Sequence, residues 1–137
     1  MTISVADLAK RFTGSYLGHD PDPDFLDLFA DVVRAKHNFD VTSQEYAGRE
    51  LAEQMLTRRE AIRQVMPDFD VIDFTVHIAE DAFIIVQTSV GTLPDGTAVR
   101  IPGVVVFDVA DGRIVAINSV RDESQAADLE NAMRAAG

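Results

Sequence analysis

Cysteine is missing from this 137-residue chain. With it go disulfides, thiol nucleophiles and zinc–thiolate sites. Histidine is scarce: His19, His37 and His77 show no ligand spacing, so neither a metal nor a cofactor is expected. Basic residues are few, 12 against 23 acidic ones, for a formal net charge of −11. Such a surface repels phosphate backbones and anionic lipid, and no Lys/Arg cluster interleaved with aromatics offsets it. Nucleic acid is therefore not an expected partner. The start lacks a basic region followed by an apolar stretch, and no apolar run approaches the ~20 residues that span a bilayer. A soluble cytoplasmic protein with no membrane partner is expected. No Ser–His–Asp set, phosphate-binding glycine loop or dinucleotide fingerprint is visible, and Gly96 and Gly112 serve turns. The run His19-Asp20-Pro21-Asp22-Pro23-Asp24 holds oxygen ligands, but loop acids beside prolines usually cap helices.

What is present suits one domain over residues 1–137. Apolar residues make up 47% of the chain, enough to bury a core. The first half reads as helical and the second as strands, which predicts an α+β architecture with helices on one face of a mostly antiparallel sheet. Val5, Leu8, Ala9, Phe12 and Tyr16 recur at helical spacing and predict a helix over about 4–17. Asp22-Pro23 signals a second start, with Phe25, Leu28, Phe29 and Val32 as its buried face. A short extended piece is expected around Phe39 to Val41. Gly48-Arg49-Glu50 opens a long helix that Pro67 ends.

From Asp68 the period becomes two: Ile72, Phe74, Val76 and Ile78 alternate with Asp73, Thr75 and His77. Further strands are expected at about 82–92, 97–109 and 113–122, separated by turns at Glu80-Asp81, Asp95-Gly96 and Asp111-Gly112. A short C-terminal helix carries Ala126, Leu129 and Met133. The segments Phe83–Val86 and Val104–Phe107 are apolar on both faces, so a second cover is expected beyond the helices. A homodimer through the outer sheet face would supply it; a bare exposed sheet is the alternative.

An ordered set of short pieces runs along the chain: Tyr46-Ala47-Gly48, Pro67-Asp68-Phe69, Ile78-Ala79-Glu80-Asp81, Gly91-Thr92, Gly96, Asp111-Gly112-Arg113-Ile114 and Asp122. In this order they resemble the SnoaL-like polyketide cyclases of the nuclear-transport-factor-like (ketosteroid-isomerase-like) superfamily. The resemblance implies a cone-shaped fold, with a curved sheet wrapped by N-terminal helices around a pocket for a small apolar molecule. It also implies that Asp122, matching the family's terminal-strand aspartate, is the acid/base beside a substrate carbonyl. Two positions depart from the cyclase pattern: Leu93 stands where they carry histidine, and Asn118 where they carry tryptophan.

A two-residue turn at Asp111-Gly112 would pair Val109 with Ile114, Phe107 with Ala116, Val105 with Asn118, Gly103 with Val120 and Ile101 with Asp122. Asp122 would then share a mostly apolar wall with Ile101, Val105, Phe107, Asn118 and Val120. Alternatively, Asp122 caps the last helix or pairs with Arg121 or Arg100. His77 faces either the pocket or the outer side, because a one-residue slip reverses it. Tyr16 and Tyr46 are pocket candidates or core aromatics with rim hydroxyls. Asp40 lies near the cone's mouth or in an exposed turn.

These readings lead to a small-molecule isomerase, cyclase or lyase acting on an apolar polyketide-, terpenoid- or steroid-like carbonyl compound. A non-catalytic ligand-binding or accessory protein of the same fold is the alternative, favoured by the two departures. Epoxide hydrolysis using Asp122 and Arg100 is a third.

Overall fold

The computed structural model describes residues 2–17, 22–38 and 40–136. Helix α1 (Val5–Leu17) starts where the Ser4 hydroxyl accepts the Asp7 amide at 3.1 Å, satisfying one of the free N–H groups of the first turn. It buries Leu8, Ala9, Phe12 and Ser15, one face at helical spacing.

The second helix expected after Asp22-Pro23 is only a single 3₁₀ turn at Phe25–Leu28, followed by strand β1 (Phe29–His37). The spacing of Phe25, Leu28 and Phe29 fits a helix, but Val32 is 55% exposed whereas its neighbour Val33 is fully buried. Backbone pairing on both edges of β1 decides the matter, since long-range ladders override local periodicity. The extended piece expected at 39–41 is not found: Phe39 lies outside the described residues, and Val41 belongs to no strand and is 95% exposed. Strand β2 (Gln44–Ala47) comes just after it.

Helix α2 (Gly48–Val65) begins against β1 so closely that a Cβ on Gly48 would lie 1.7 Å from the Ala30 carbonyl oxygen. Only glycine permits that approach. Strands β3 (Asp70–Ile78), β4 (Ala82–Thr92), β5 (Ala98–Ala110) and β6 (Arg113–Arg121) follow, and α3 (Glu123–Ala136) closes the described chain. The sheet runs β2-β1-β6-β5-β4-β3, with β1 and β6 parallel and every other pair antiparallel. This is the expected α+β fold: a curved mixed sheet wrapped by helices, with a short C-terminal helix. Two of the resemblance's pieces dock on one another, because the Asp68 carboxylate after α2 accepts the Thr92 amide at 2.8 Å.

The β5–β6 turn is the two-residue kind, with both Asp111 (φ 52°) and Gly112 (φ 74°) in the left-handed region. The expected register nevertheless fails after one pair. Val109 lies opposite Ile114, but Asp108 lies opposite Ala116, so Val115 is an extra residue on β6. Beyond this bulge Phe107 pairs with Ile117, Val105 with Ser119 and Gly103 with Arg121. A one-residue shift moves every following side chain to the other face. Ser119 therefore takes the inner position foreseen for Asn118.

Two cores hold the layers. Phe12 sits within 6.3 Å of the ring centres of Tyr16, Phe25, Phe29, Phe83 and Phe107, while Phe83 and Phe107 stack at 4.6 Å. The second cluster joins α2, α3 and the β4–β5 end through Val65, Met66, Leu93, Val99, Ile101, Ala126 and Leu129. On the outer face Ile84, Val86 and Val106 stay partly exposed, and Val104 is 36% exposed. Among the described residues no helix is long and apolar enough to cross a membrane.

Candidate active site

Between the three helices and the inner sheet face lies a cavity of about 560 Å³. Phe12 from α1, Met55 from α2, Ile85 from β4, Val105 and Phe107 from β5 and Ile117 from β6 give it an apolar wall. These are the inward positions of their strands and helices.

Tyr16, Asp40, Tyr46, Ile101, Val105 and Phe107 all border the cavity. Tyr16 stacks on Phe12 at 5.4 Å, and the Arg59 guanidinium lies 4.7 Å above its ring. The Tyr46 hydroxyl donates to the Gln44 side chain at 2.7 Å. Asp40 is exposed at the mouth, its amide donating to the His37 carbonyl at 3.1 Å. Val120 also borders the cavity, but it pairs with Val104, whose side chain is on the outer face.

Three expected positions lie elsewhere. His77 is exposed and lies opposite Ile84 on the outer face, because Val76 and Phe74 take the inward places of β3. Asn118 is exposed opposite Val106, the result of the β6 bulge. Asp122 does not border the cavity; its exposed carboxylate caps α3. It accepts the Ser124 hydroxyl at 2.6 Å and the amides of Ser124 at 3.0 Å and Gln125 at 3.3 Å. The Ser124 hydroxyl, then the Gln125 amide, hold its carboxyl below the usual carboxylate range. Asp122 thus takes the helix-cap alternative rather than the wall position, and a carboxylate stabilised as the anion in open solvent is a weak base. Arg100, the other group considered for epoxide chemistry, pairs with exposed Asp73 at 3.5 Å and is not at the cavity. Of the metal-like run, residues 18–21 lie outside the described residues; Asp22 and Asp24 face Arg11 at 3.5 and 3.9 Å.

The mouth instead holds a group of residues that the sequence reading did not single out. The parallel pairing of β1 with β6 sets His37 opposite Ser119, and the His37 Nδ1 lies 2.9 Å from the Ser119 Oγ. On its other side the His37 Nε2 meets the Glu123 carboxylate at the start of α3. Glu123 also accepts from the Asn38 side chain at 2.8 Å and from the Arg121 Nε at 3.3 Å. The His37 hydrogen bond, with Arg121 adding to it, lowers the Glu123 pKa from its ordinary value. An ionised Glu123 accepts only, so it fixes the His37 Nε2 as the donor and leaves Nδ1 facing the serine hydroxyl. His37 and Ser119 both border the cavity.

Deeper in, Arg58 and Arg121 share the Glu130 carboxylate, Arg121 at 2.9 Å. Burial raises the Glu130 pKa, but the two guanidinium hydrogen bonds outweigh it and the net shift is downward. No local signal marks these residues. His37 and Ser119 are 82 positions apart and meet only through the parallel ladder.

With the fold and this site in view, residues 9–117 match the SnoaL-like domain profile. The chain belongs to the SnoaL-like domain family. Similar solved structures include a proposed polyketide cyclase from Pseudomonas putida, with a TM-score of 0.67 and 15% identity over 93% of this chain and 98% of that one. A proposed SnoaL-like polyketide cyclase from Jannaschia sp. aligns with a TM-score of 0.65 and 17% identity over 89% and 88% of the two chains. A proposed isomerase from Bacillus subtilis gives 0.64 and 13% identity over 93% of each. At these identities the likeness concerns the fold. No match was found among curated protein sequences. In this SnoaL-like chain Leu93 is a core residue 5% exposed.

Proposed function

We propose that this SnoaL-like protein is an isomerase- or cyclase-type enzyme that moves a proton on a carbonyl compound with an apolar frame, with His37 as its acid–base group. The observation that carries the reading is the position of His37, held between Ser119 and Glu123 at the edge of the apolar cavity. Neutral imidazole is the side-chain base best matched to physiological pH, and its orientation by a carboxylate is a recurrent arrangement for proton transfer.

Glu123 stabilises the imidazolium that forms when Nδ1 takes up a proton. The Ser119 hydroxyl, 2.9 Å from Nδ1 and itself at the cavity, acts as the relay: it receives the substrate's proton as its own passes to Nδ1. The electron pair left on substrate moves into the carbonyl, giving an enol(ate) that the same imidazolium reprotonates at a second position. The apolar walls would hold the substrate's frame beside this group. The cavity volume falls within the range that encloses a small organic ligand.

The test uses 2-tetralone, an apolar ketone with an acidic methylene, as the probe. Deuterium uptake from D₂O, followed by proton NMR, should be accelerated by the wild-type protein. His37→Gln keeps the bulk and a hydrogen-bonding end but cannot take up the proton, and should reduce the acceleration by ~10²–10⁴. An unchanged rate in this variant, with its far-UV circular dichroism intact, would remove His37 from the chemistry.

A further inference from the structure

One buried cation at the cavity has no counter-charge among the described residues. Arg59, on α2, is only 7% exposed, and no ion pair involves it among the described residues. Its guanidinium lies over the rings of Tyr16 at 4.7 Å and Phe69 at 5.4 Å, and one terminal nitrogen donates to the Leu17 carbonyl at 3.3 Å. Its Nε–H has no partner. A guanidinium stays protonated in a protein, so both the charge and the unused donor persist. Burying an unpaired charge costs several kcal/mol unless something compensates it. The rings over its face supply part of that; the residue borders the cavity, where an acidic ligand would bring the missing negative charge.

The charge around the cavity points the same way. The chain as a whole carries −11, yet the cavity is bordered by Arg58, Arg59 and Arg121 and by one carboxylate, Asp40. Lys36 borders it as well, but lies opposite exposed Asn118 on the outer face. Arg58 and Arg121 share Glu130, which does not border the cavity, and Arg121 also meets Glu123, whereas no carboxylate pairs with Arg59 among the described residues. Three of the chain's 12 basic residues thus stand as arginines around one apolar hollow with a single carboxylate at its border, which favours anions there relative to the acidic surface.

We propose that the natural ligand is a carboxylic acid on an apolar frame, its carboxylate held by the Arg59 guanidinium. This rests on the reading of the cavity as the substrate site and narrows the substrate class to acidic carbonyl compounds. Arg59 is here a binding residue, acting on the ground state and apart from the proton transfer at His37.

Isothermal titration calorimetry at pH 7 with 2-naphthoate and 2-naphthamide tests it, since the two probes share a frame and differ in charge. The wild-type protein should bind 2-naphthoate at least tenfold more tightly than the amide. Arg59→Met, which keeps the stem and removes the donors, should bind both probes alike, near the wild-type affinity for the amide. Retained amide binding shows that the variant is folded. If it is not, Arg59→Lys serves, and should keep a weakened preference for the acid. Equal binding of the two probes by wild type, or a preference that survives in Arg59→Met, overturns the proposal while leaving the ligand cavity standing. Failure of both probes to bind wild type overturns the cavity reading and this proposal together.

Discussion

Replacing Phe12 with alanine removes the ring around which both the core and the cavity wall are built. Phe12 is 1% exposed and meets five other aromatic rings, the nearest that of Phe107 with centres 4.6 Å apart. Buried Phe→Ala changes cost roughly 3–5 kcal/mol, the sum of lost transfer energy and of the hole left behind. One side of Phe12 already borders the cavity, so the new hole merges with an existing one and fewer contacts are forfeited. The lower end, about 3 kcal/mol, is expected. With a urea m-value of roughly 1.5–2 kcal/mol/M for a chain of this size, the midpoint should fall by about 1.5–2 M. Phe12→Leu keeps most of the apolar volume and should lose less than half of that. Far-UV circular dichroism in urea measures both, and an unchanged m-value would confirm that the native state is intact. A midpoint shift for Phe12→Ala under about 0.5 M would refute the placement of this ring at the centre of the core.

Asp122→Asn should leave deuterium exchange of 2-tetralone near the wild-type rate, since the carboxylate caps α3 and asparagine caps nearly as well; a loss of ~10² or more would return the acid–base role to Asp122. The lowered Glu123 pKa makes its contribution to stability fully present above the ordinary carboxylate pKa, lost as pH falls through the lowered folded value. Glu123→Gln should therefore flatten the acid limb of a melting-temperature profile, and an unaltered limb would count against the Glu123–His37 contact. The partly exposed Ile84, Val86, Val104 and Val106 make a homodimer through the outer sheet face the expected assembly. Light scattering at micromolar concentration should then give roughly twice the 15.0 kDa chain mass, and a clean monomer would exclude it.

Much of the fold was legible from local pattern. Alternation of Phe74, Val76 and Ile78 marked β3, although a bulge between Ile72 and Thr75 turns Ile72 to the other face. Asp111-Gly112 marked the β5–β6 hairpin, and Pro67 lies just after α2 ends at Val65. These features depend on a residue and its near neighbours, so periodicity and turn chemistry suffice. The segment Phe29–His37 did not yield to that logic, because pairing to β2 and β6 outweighs a helical spacing of aromatics. Gly48 could be seen to open a helix, but the Ala30 carbonyl that makes glycine necessary comes from β1.

The site divides along the same line. The resemblance implied an apolar hollow, and alternation along β5 put Ile101, Val105 and Phe107 on one face, where all three border the cavity. Which polar groups face that hollow was decided by tertiary structure. One extra residue, Val115, turns Asn118 out and Ser119 in. A parallel ladder brings His37 to Ser119 across 82 positions, and the chain's turn into α3 leaves Asp122 as a cap while setting Glu123 against His37. Side-chain direction in a sheet has a period of two, so a single inserted residue reverses it, and no local pattern in β5 or β6 reports the insertion.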